Sequence, residues 1–563
     1  MGSSPVHLVV LCHGLWGEPK HLEVLAMMLA RSYGSLASIS DGVEGRAKGE
    51  QSKDGGNGAA SIKSGVSGNS LQGTLTQEQL ETILDEYLTT RERKSTGTGA
   101  AEQEEEVVIL NSQTNKGSHT YDGIDWLGER TVQEIYSEEK WLESQDKHVA
   151  KLSIIGYSLG GLVARYVVAL LDAKGFFDKV QPRHFASFAS PHCGVPPANG
   201  SFGRLANFIG GRLLSRTGEQ LYLLDSGWES TKDIEEHKAA QHGAKKKDKK
   251  RPKVGLIEAM SRPDSSFYRA LAKFKRITLY ANAVNDLTVP FRSGCLEEWD
   301  PFIEYKEAVQ VSQLDDAPLL TNVALADTKV DERSMWARLA AWKPSLPFFL
   351  NPRRLPFRFP FNYIIVIALP ITLPTFLLLL IFRFARESGK SRKRILELDS
   401  GWRDEDEEER AGTGRIDRLV RNVVMSVGED RVDEQRDIFG SSDDADEEAV
   451  KQVTASRTNS DRSRVDSTVI ATAKAADRTG LTKSPLEKPT AIEEGRKSKQ
   501  PALHEAQKRI VHNLNSLPRL EKRWAYFNDV INSHAVIICR TPAMELHRKG
   551  LPILRHFVSD FDM

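Results

Sequence analysis

Cysteine is scarce in this chain: 563 residues contain four, Cys12, Cys193, Cys295 and Cys539, with no CxxC pair. Spacing this wide excludes a zinc-finger or zinc-ribbon pattern and offers no secretory disulfide framework. Cys12 and Cys539 lie inside apolar runs, so the cysteines read as reduced, buried small hydrophobes of a cytosol-facing protein. Net charge is missing as well. The 77 basic and 77 acidic residues cancel, which removes any global electrostatic argument for nucleic acid or an acidic partner. Near residue 1 the apolar run Val6, Leu8, Val9, Val10, Leu11 is too short for a signal-peptide core, so none is expected. Long apolar runs are absent too, with one exception at residues 363–382. No motif asks for a cofactor or a metal, and the oligomeric state is left open.

What remains is a chain longer than one ordinary domain whose 40% hydrophobic content is diluted by polar tracts. That pattern suits one large core with interruptions. Residues 1–345 read as the main part, with disordered inserts expected at about 42–74, 91–106 and 229–252. Residues 346–395 hold the apolar segment with basic flanks, 396–502 a disordered charged linker, and 503–563 a return to ordered sequence that completes the core. The basic run 245–251 reads as a solvated loop. Short β-branched runs alternate with helical periodicity, which predicts an α/β fold with a mostly parallel central sheet flanked by helices.

The core is organised around residues 152–166: an apolar strand, then Gly156-Tyr157-Ser158-Leu159-Gly160, then a helix carrying Leu162, Val163, Tyr166 and Val167 on one face. This is a GxSxG nucleophile elbow in its proper context. The turn would lift the Ser158 hydroxyl above the sheet, with the Leu159 N–H at the positive end of the helix ready to receive an oxyanion. The first strand delivers His13-Gly14-Leu15-Trp16-Gly17, where the Leu15 N–H would form the second half of the oxyanion hole while His13 itself is a structural turn residue. Trp16 and Asp122, in Thr120-Tyr121-Asp122-Gly123-Ile124-Asp125, are candidates to line the site; Asp122 reads equally well as a helix cap. Phe202 and Phe208, on one face of a helix at 201–214, suit an acyl-binding wall or an ordinary cap helix.

Serine needs an imidazole to take its proton and a carboxylate to fix that imidazole's tautomer. Asp286 ends the late strand 276–286 and outranks Asp225, which sits in a leucine-rich helical segment. A strand at 523–531 delivers His534, whereas His192 follows Ser158 too closely for the order Ser, Asp, His. Residues 363–382 are long enough to span a bilayer, but Pro370 and Pro374 interrupt them and basic residues flank both ends. Since Ser158 and Asp286 precede this block and His534 follows it, a re-entrant hairpin bent at the prolines is expected.

His13-Gly14-Leu15-Trp16-Gly17, Thr120-x-Asp122-Gly123-Ile124-Asp125, Gly156-Tyr157-Ser158-Leu159-Gly160-Gly161, Ser190-Pro191-His192 and Asn532-Ser533-His534-Ala535 together resemble the DUF676 serine esterases, which have the α/β-hydrolase fold. Fungal members include lipid-droplet phospholipases and acylglycerol lipases. The resemblance implies hydrolysis of a glycerolipid ester, a phospholipid or a mono- or diacylglycerol, by Ser158, Asp286 and His534. It implies a lipid-droplet or endoplasmic-reticulum membrane location with the catalytic domain facing the cytosol. Readings of other classes are a catalytically silent membrane-associated scaffold and a soluble-thioester or protein deacylase.

Overall fold

The computed structural model describes residues 3–33, 37–40, 79, 81–82, 84, 106–197, 203, 207, 210–226, 228, 254–304, 309–325, 361–401 and 500–561. The tracts expected to be disordered at 42–74 and 229–252, Phe202 and Phe208, the basic run 245–251 and the linker from 402 to 499 lie outside the described residues, and so does most of the insert at 91–106.

In chain order the elements are β1 (Ser4–Cys12), α1 (Glu23–Tyr33), β2 (Ala37–Ser40), β3 (Glu106–Asn111), α2 (Ile124–Glu143), β4 (Lys147–Tyr157), α3 (Leu159–Ala173), β5 (Gln181–Phe188), α4 (Ser215–Leu221), α5 (Ser266–Ala272), β6 (Arg276–Asn282), β7 (Val309–Gln313), β8 (Leu320–Leu325), α6 (Phe361–Gly401), α7 (Glu505–Asn515), β9 (Leu520–Ala525) and α8 (Leu551–Asp560). Among the described residues seven strands form one sheet in the order β2-β3-β1-β4-β5-β6-β9. Every pairing in it is parallel. The near-continuous apolar character of β1, β3 and β4 follows from this arrangement, since helices cover both faces and both sets of alternating side chains are buried. Val6, Leu8, Val10 and Cys12 pack with residues of α2 and α3. Val9 and Leu11 pack on the opposite face with residues of α1 and α8.

After β1 the chain goes to one side, to β2 and β3, and then crosses to the other, to β4. The loops leaving β1, β3 and β4 therefore diverge around one crevice at the carboxyl ends of the strands, where open α/β sheets bind ligands.

Two expectations need correction. β9 stops at Ala525 and does not run on to residue 531. The Tyr526 N–H donates to Pro318 O (2.9 Å), a bond to the β7–β8 hairpin that draws the chain off the sheet, and Ile531 ends up 84% exposed. The apolar segment is no hairpin at its prolines either: α6 is one helix that continues through Pro370 and Pro374. A helix-interior proline removes one donor and displaces one carbonyl. The carbonyls that lose their donors are those of Val366 and Pro370, four residues before each proline, whereas the Thr372 and Thr375 hydroxyls donate to other carbonyls, those of Ala368 and Ile371 (3.1 and 2.7 Å).

α8 completes one face of the core. Phe557 is fully buried and meets Phe188 and Tyr280 edge-on at 5.2 and 5.8 Å. Phe557→Ala is expected to destabilise the fold by about 3–5 kcal/mol. Urea unfolding monitored by tryptophan fluorescence should show a lower midpoint at unchanged slope.

Candidate active site

Ser158 sits between β4 and α3 with φ 55° and ψ −124°, a backbone conformation that side-chain-bearing residues rarely adopt. Fixed contacts hold it there: its N–H donates to Phe188 O (2.8 Å), and Gly161 N–H donates to its carbonyl (3.1 Å). The turn also needs room. A Cβ on Gly160 would lie 2.0 Å from Cys12 O, and one on Gly14 would lie 2.7 Å from the Ser158 Cβ. The loop leaving β1 thus passes directly against the elbow. Leu159 opens α3 and Leu15 follows Gly14, so both backbones flank the serine.

The parallel pairing of β6 with β9 aligns Asn282 with Ala525, so the loops beyond them leave the sheet side by side. Asn285, at φ 61°, accepts the Ser533 N–H (2.8 Å) through its carbonyl and donates from its side chain to Phe527 O (2.8 Å). Ser533 Oγ donates to Val284 O (2.8 Å), and the Asn532 side-chain oxygen accepts the N–H groups of Leu287 and His534. This lacing brings His534 Nδ1 to 3.0 Å from Asp286 Oδ2 and His534 Nε2 to 3.1 Å from Ser158 Oγ. Asp286 is itself fixed: Oδ1 accepts the N–H groups of Thr288 and Val289, and Oδ2 accepts Asn282 Nδ2 (2.8 Å). With one carboxylate oxygen on Nδ1–H, the imidazole presents Nε2 as an acceptor to the serine hydroxyl. Tyr157 lies against the ring at 5.1 Å and donates its hydroxyl to His534 O (3.1 Å).

The rival residues have other partners. His192 is buried, its Nε2 is bonded to Ser187 Oγ (2.9 Å), and burial, aided by Arg165, pushes its pKa down to about 3. Asp225 accepts the Leu256 N–H (2.8 Å) and is pushed up to about 6 by burial. His13 is buried and donates from Nδ1 to Gly14 O (3.1 Å); its pKa is lowered by burial, which keeps the ring neutral. The four cysteines are free and buried, and burial raises the Cys193 thiol to about 11, so none offers a thiolate nucleophile.

Asp122 needs a correction. It is fully buried, Arg130 donates to its Oδ2 (2.5 Å) and Arg394 to its Oδ1 (2.8 Å). Its oxygens are occupied by arginines, and α2 begins after Gly123 with no side-chain cap, so Asp122 is neither an open substrate ligand nor a helix cap. Trp16 stands at φ 54°, donates Nε1–H to Tyr121 OH (2.8 Å) and is 49% exposed. Asn282, Asn285 and Asn532 support the triad, a role sequence reading did not assign to them; Asn282 was visible as a polar residue at the end of β6, and Asn532 only as part of the motif around His534. Outside the triad, the holder of Asp122 is Arg394. Arg394 carried no local signal.

Residues 65–297, a span that includes Ser158 and Asp286, match the model of the family described as "Putative serine esterase (DUF676)". The "Putative lipase YDL109C" of Saccharomyces cerevisiae is 30% identical over 207 residues, 36% of this chain and 26% of its own. The "Putative lipase C4A8.10" of Schizosaccharomyces pombe is 27% identical over 197 residues, 34% of this chain and 22% of its own. The "Putative lipase ROG1" of Saccharomyces cerevisiae is 26% identical over 210 residues, 37% of this chain and 25% of its own. The chain thus spans about a quarter of the length of the curated relatives it matches. The resemblance to this esterase family and to fungal lipase-like proteins holds on these comparisons, and the helix-flanked parallel sheet is the architecture of an α/β-hydrolase.

Asp225 supplies a pH test of its own buried carboxyl. Its carboxyl binds a proton more tightly folded, near 6, than at its ordinary 3.8, so its contribution to stability falls as pH rises from 3.8 to 6 and stays lowered above that window. Asp225→Asn is expected to raise the melting temperature at pH 7.5 by about 2–4 °C, equivalent to about 1 kcal/mol. Differential scanning fluorimetry should find the gain gone at pH 4.

Proposed function

We propose that the chain is a serine carboxylic-ester hydrolase that cleaves a glycerolipid ester through an acyl-enzyme at a membrane or lipid-droplet surface. The observation that carries this reading is the closed relay from Ser158 Oγ to His534 Nε2 (3.1 Å) and from His534 Nδ1 to Asp286 Oδ2 (3.0 Å), set on an elbow held at φ 55°. His534 takes the Ser158 proton as Oγ attacks the ester carbonyl. The tetrahedral oxyanion is received by the N–H groups of Leu15 and Leu159, at the positive end of α3. Collapse expels the alcohol, which takes the proton from Nε2. Water activated by the same nitrogen then releases the acid. Asp286 holds Nδ1–H and stabilises the imidazolium.

The membrane part of the proposal rests on α6. The stretch Ile367–Glu397 is long and apolar enough to cross a membrane, and none of its most apolar window is buried against the body. β8 before it packs on the body through Leu320 and Val323, and Phe384 within it touches the body at Trp16. The chain therefore leaves the body and returns to it. Residues 326–360 include Lys329, Arg333, Arg338, Lys343, Arg353, Arg354 and Arg358 and contain no run of about 20 apolar residues for a second crossing. The apolar half of α6, one helix through its prolines, then lies along one face, within a phospholipid monolayer or a single leaflet, with the catalytic body in the cytosol.

Ser158→Ala should abolish labelling by a fluorophosphonate probe and lower kcat on a soluble ester by about 10⁶, and Asp286→Asn should lower it by about 10⁴. A folded Ser158→Ala protein that still labels or turns over ester sinks the assignment. Glycosylation-acceptor sites placed before residue 357 and after residue 394 are both expected to stay unmodified in microsomes. Modification at the first alone would show that α6 spans.

A further inference from the structure

α6 changes character along its length, and the change falls at the active-site mouth. Up to Phe382 it presents exposed apolar side chains, whereas Ser388 and Ser391 beyond are 5% and 0% exposed. That polar half is bound to the loops beside the elbow. Phe384 stacks on Trp16 with ring centroids 5.4 Å apart and planes 6° from parallel. Arg394 donates to Asp122 Oδ1 (2.8 Å) and to Ser118 O (2.9 Å), and Asp122 is shared with Arg130.

We propose that this half of α6 is a strap that fixes the active-site mouth at the lipid surface, so that an acyl chain reaches Ser158 along Trp16 and Phe384 without crossing water. The inference rests on the hydrolase reading above and adds two positioning residues, Phe384 and Arg394. Phe384 lies two residues past the end of the apolar stretch, a rise of about 3 Å along a helix, so Trp16 is held at the headgroup boundary, the level where an indole with an apolar face and a satisfied N–H is most favourable. Trp16 is the immediate neighbour of Leu15, whose N–H serves the oxyanion. One ring stack joins the membrane anchor to the oxyanion loop, and the Arg394–Asp122 ion pair joins it to the adjoining turn at 118–122. A helix needed only as a tether could have docked anywhere on the body; this one docks where the substrate must enter. The exposed Arg386, Lys390, Arg392 and Lys393 supply basic charge to the same surface, where anionic headgroups add attraction.

The test uses the full-length protein and two substrates: p-nitrophenyl butyrate in solution and 4-methylumbelliferyl oleate dissolved in phosphatidylcholine vesicles. Phe384→Ala and Arg394→Gln should lower kcat/KM on the vesicle substrate by about tenfold or more, the scale of a small misplacement of substrate against the reacting groups. The butyrate rate should change by less than about twofold, and flotation with vesicles should persist because the apolar half is untouched. Arg394→Lys should restore part of the vesicle rate. Vesicle turnover equal to wild type in both variants overturns the strap and leaves the hydrolase reading standing, and an equal fall on both substrates overturns it too. Phe384→Ala removes no buried charge and guards against misfolding of Arg394→Gln. If the wild-type protein neither hydrolyses butyrate nor takes a fluorophosphonate label, the hydrolase reading fails, and the strap fails with it.

Discussion

The site depends on the pairing of β6 with β9. These strands lie far apart in the chain, yet their register, with Asn282 opposite Ala525, sets the carboxylate loop and the histidine loop side by side. Parallel strands cannot be joined by a tight turn, so everything between residues 282 and 520 is an excursion from the sheet. That excursion contains β7, β8 and α6. Long connections are tolerated because the entropic cost of closing a loop grows only logarithmically with its length. The strand pairing and the asparagine and serine bonds between the two loops are what make the ends meet.

Asp286 and His534 are held through backbone and amide groups more than through bulk packing. Asp286 accepts two backbone N–H groups and one asparagine amide, and His534 lies tilted against the Tyr157 ring and is hydrogen-bonded through its carbonyl to the same side chain. Directional bonds of this kind leave the imidazole little freedom except to exchange a proton between its neighbours. The elbow is constrained differently, by close backbone approach at Gly14 and Gly160. The serine sits at a conformation it would not choose, fixed by surroundings that could not accept an alternative.

The elbow, the order Ser158, Asp286, His534 and the parallel sheet could be read from residues because each is a local signal repeated in context: an apolar run, a glycine turn, a polar residue at a strand end. β2 and the β7–β8 hairpin could not. Ala37–Ser40 and Val309–Gln313 are four and five residues long and largely half-exposed or exposed, so their apolar-polar alternation is too short to stand out from a loop; they form because neighbours offer unpaired edges. The end of β9 was misread for the same reason, since Tyr526 and Phe527 have strand character and only the competing Pro318 carbonyl takes them off the sheet. Asp122 looked like a cap or a ligand because its partner Arg394 is 272 residues away. The prolines of α6 suggested a bend, but a helix can absorb the loss of a donor at each when nothing forces it to turn.

Order of synthesis gives β9 a further meaning. Asp286 and His534 are 248 residues apart, and α6 is made between them. At about 5–20 residues per second, the histidine leaves the ribosome on the order of 12–50 s after the carboxylate. During that interval the elbow strand and its serine can already fold while β6 presents an unfilled edge. The relay closes only once β9 arrives, and by then the whole of the apolar helix has been synthesised. The nascent chain therefore carries a serine with no base until the apolar helix has been made.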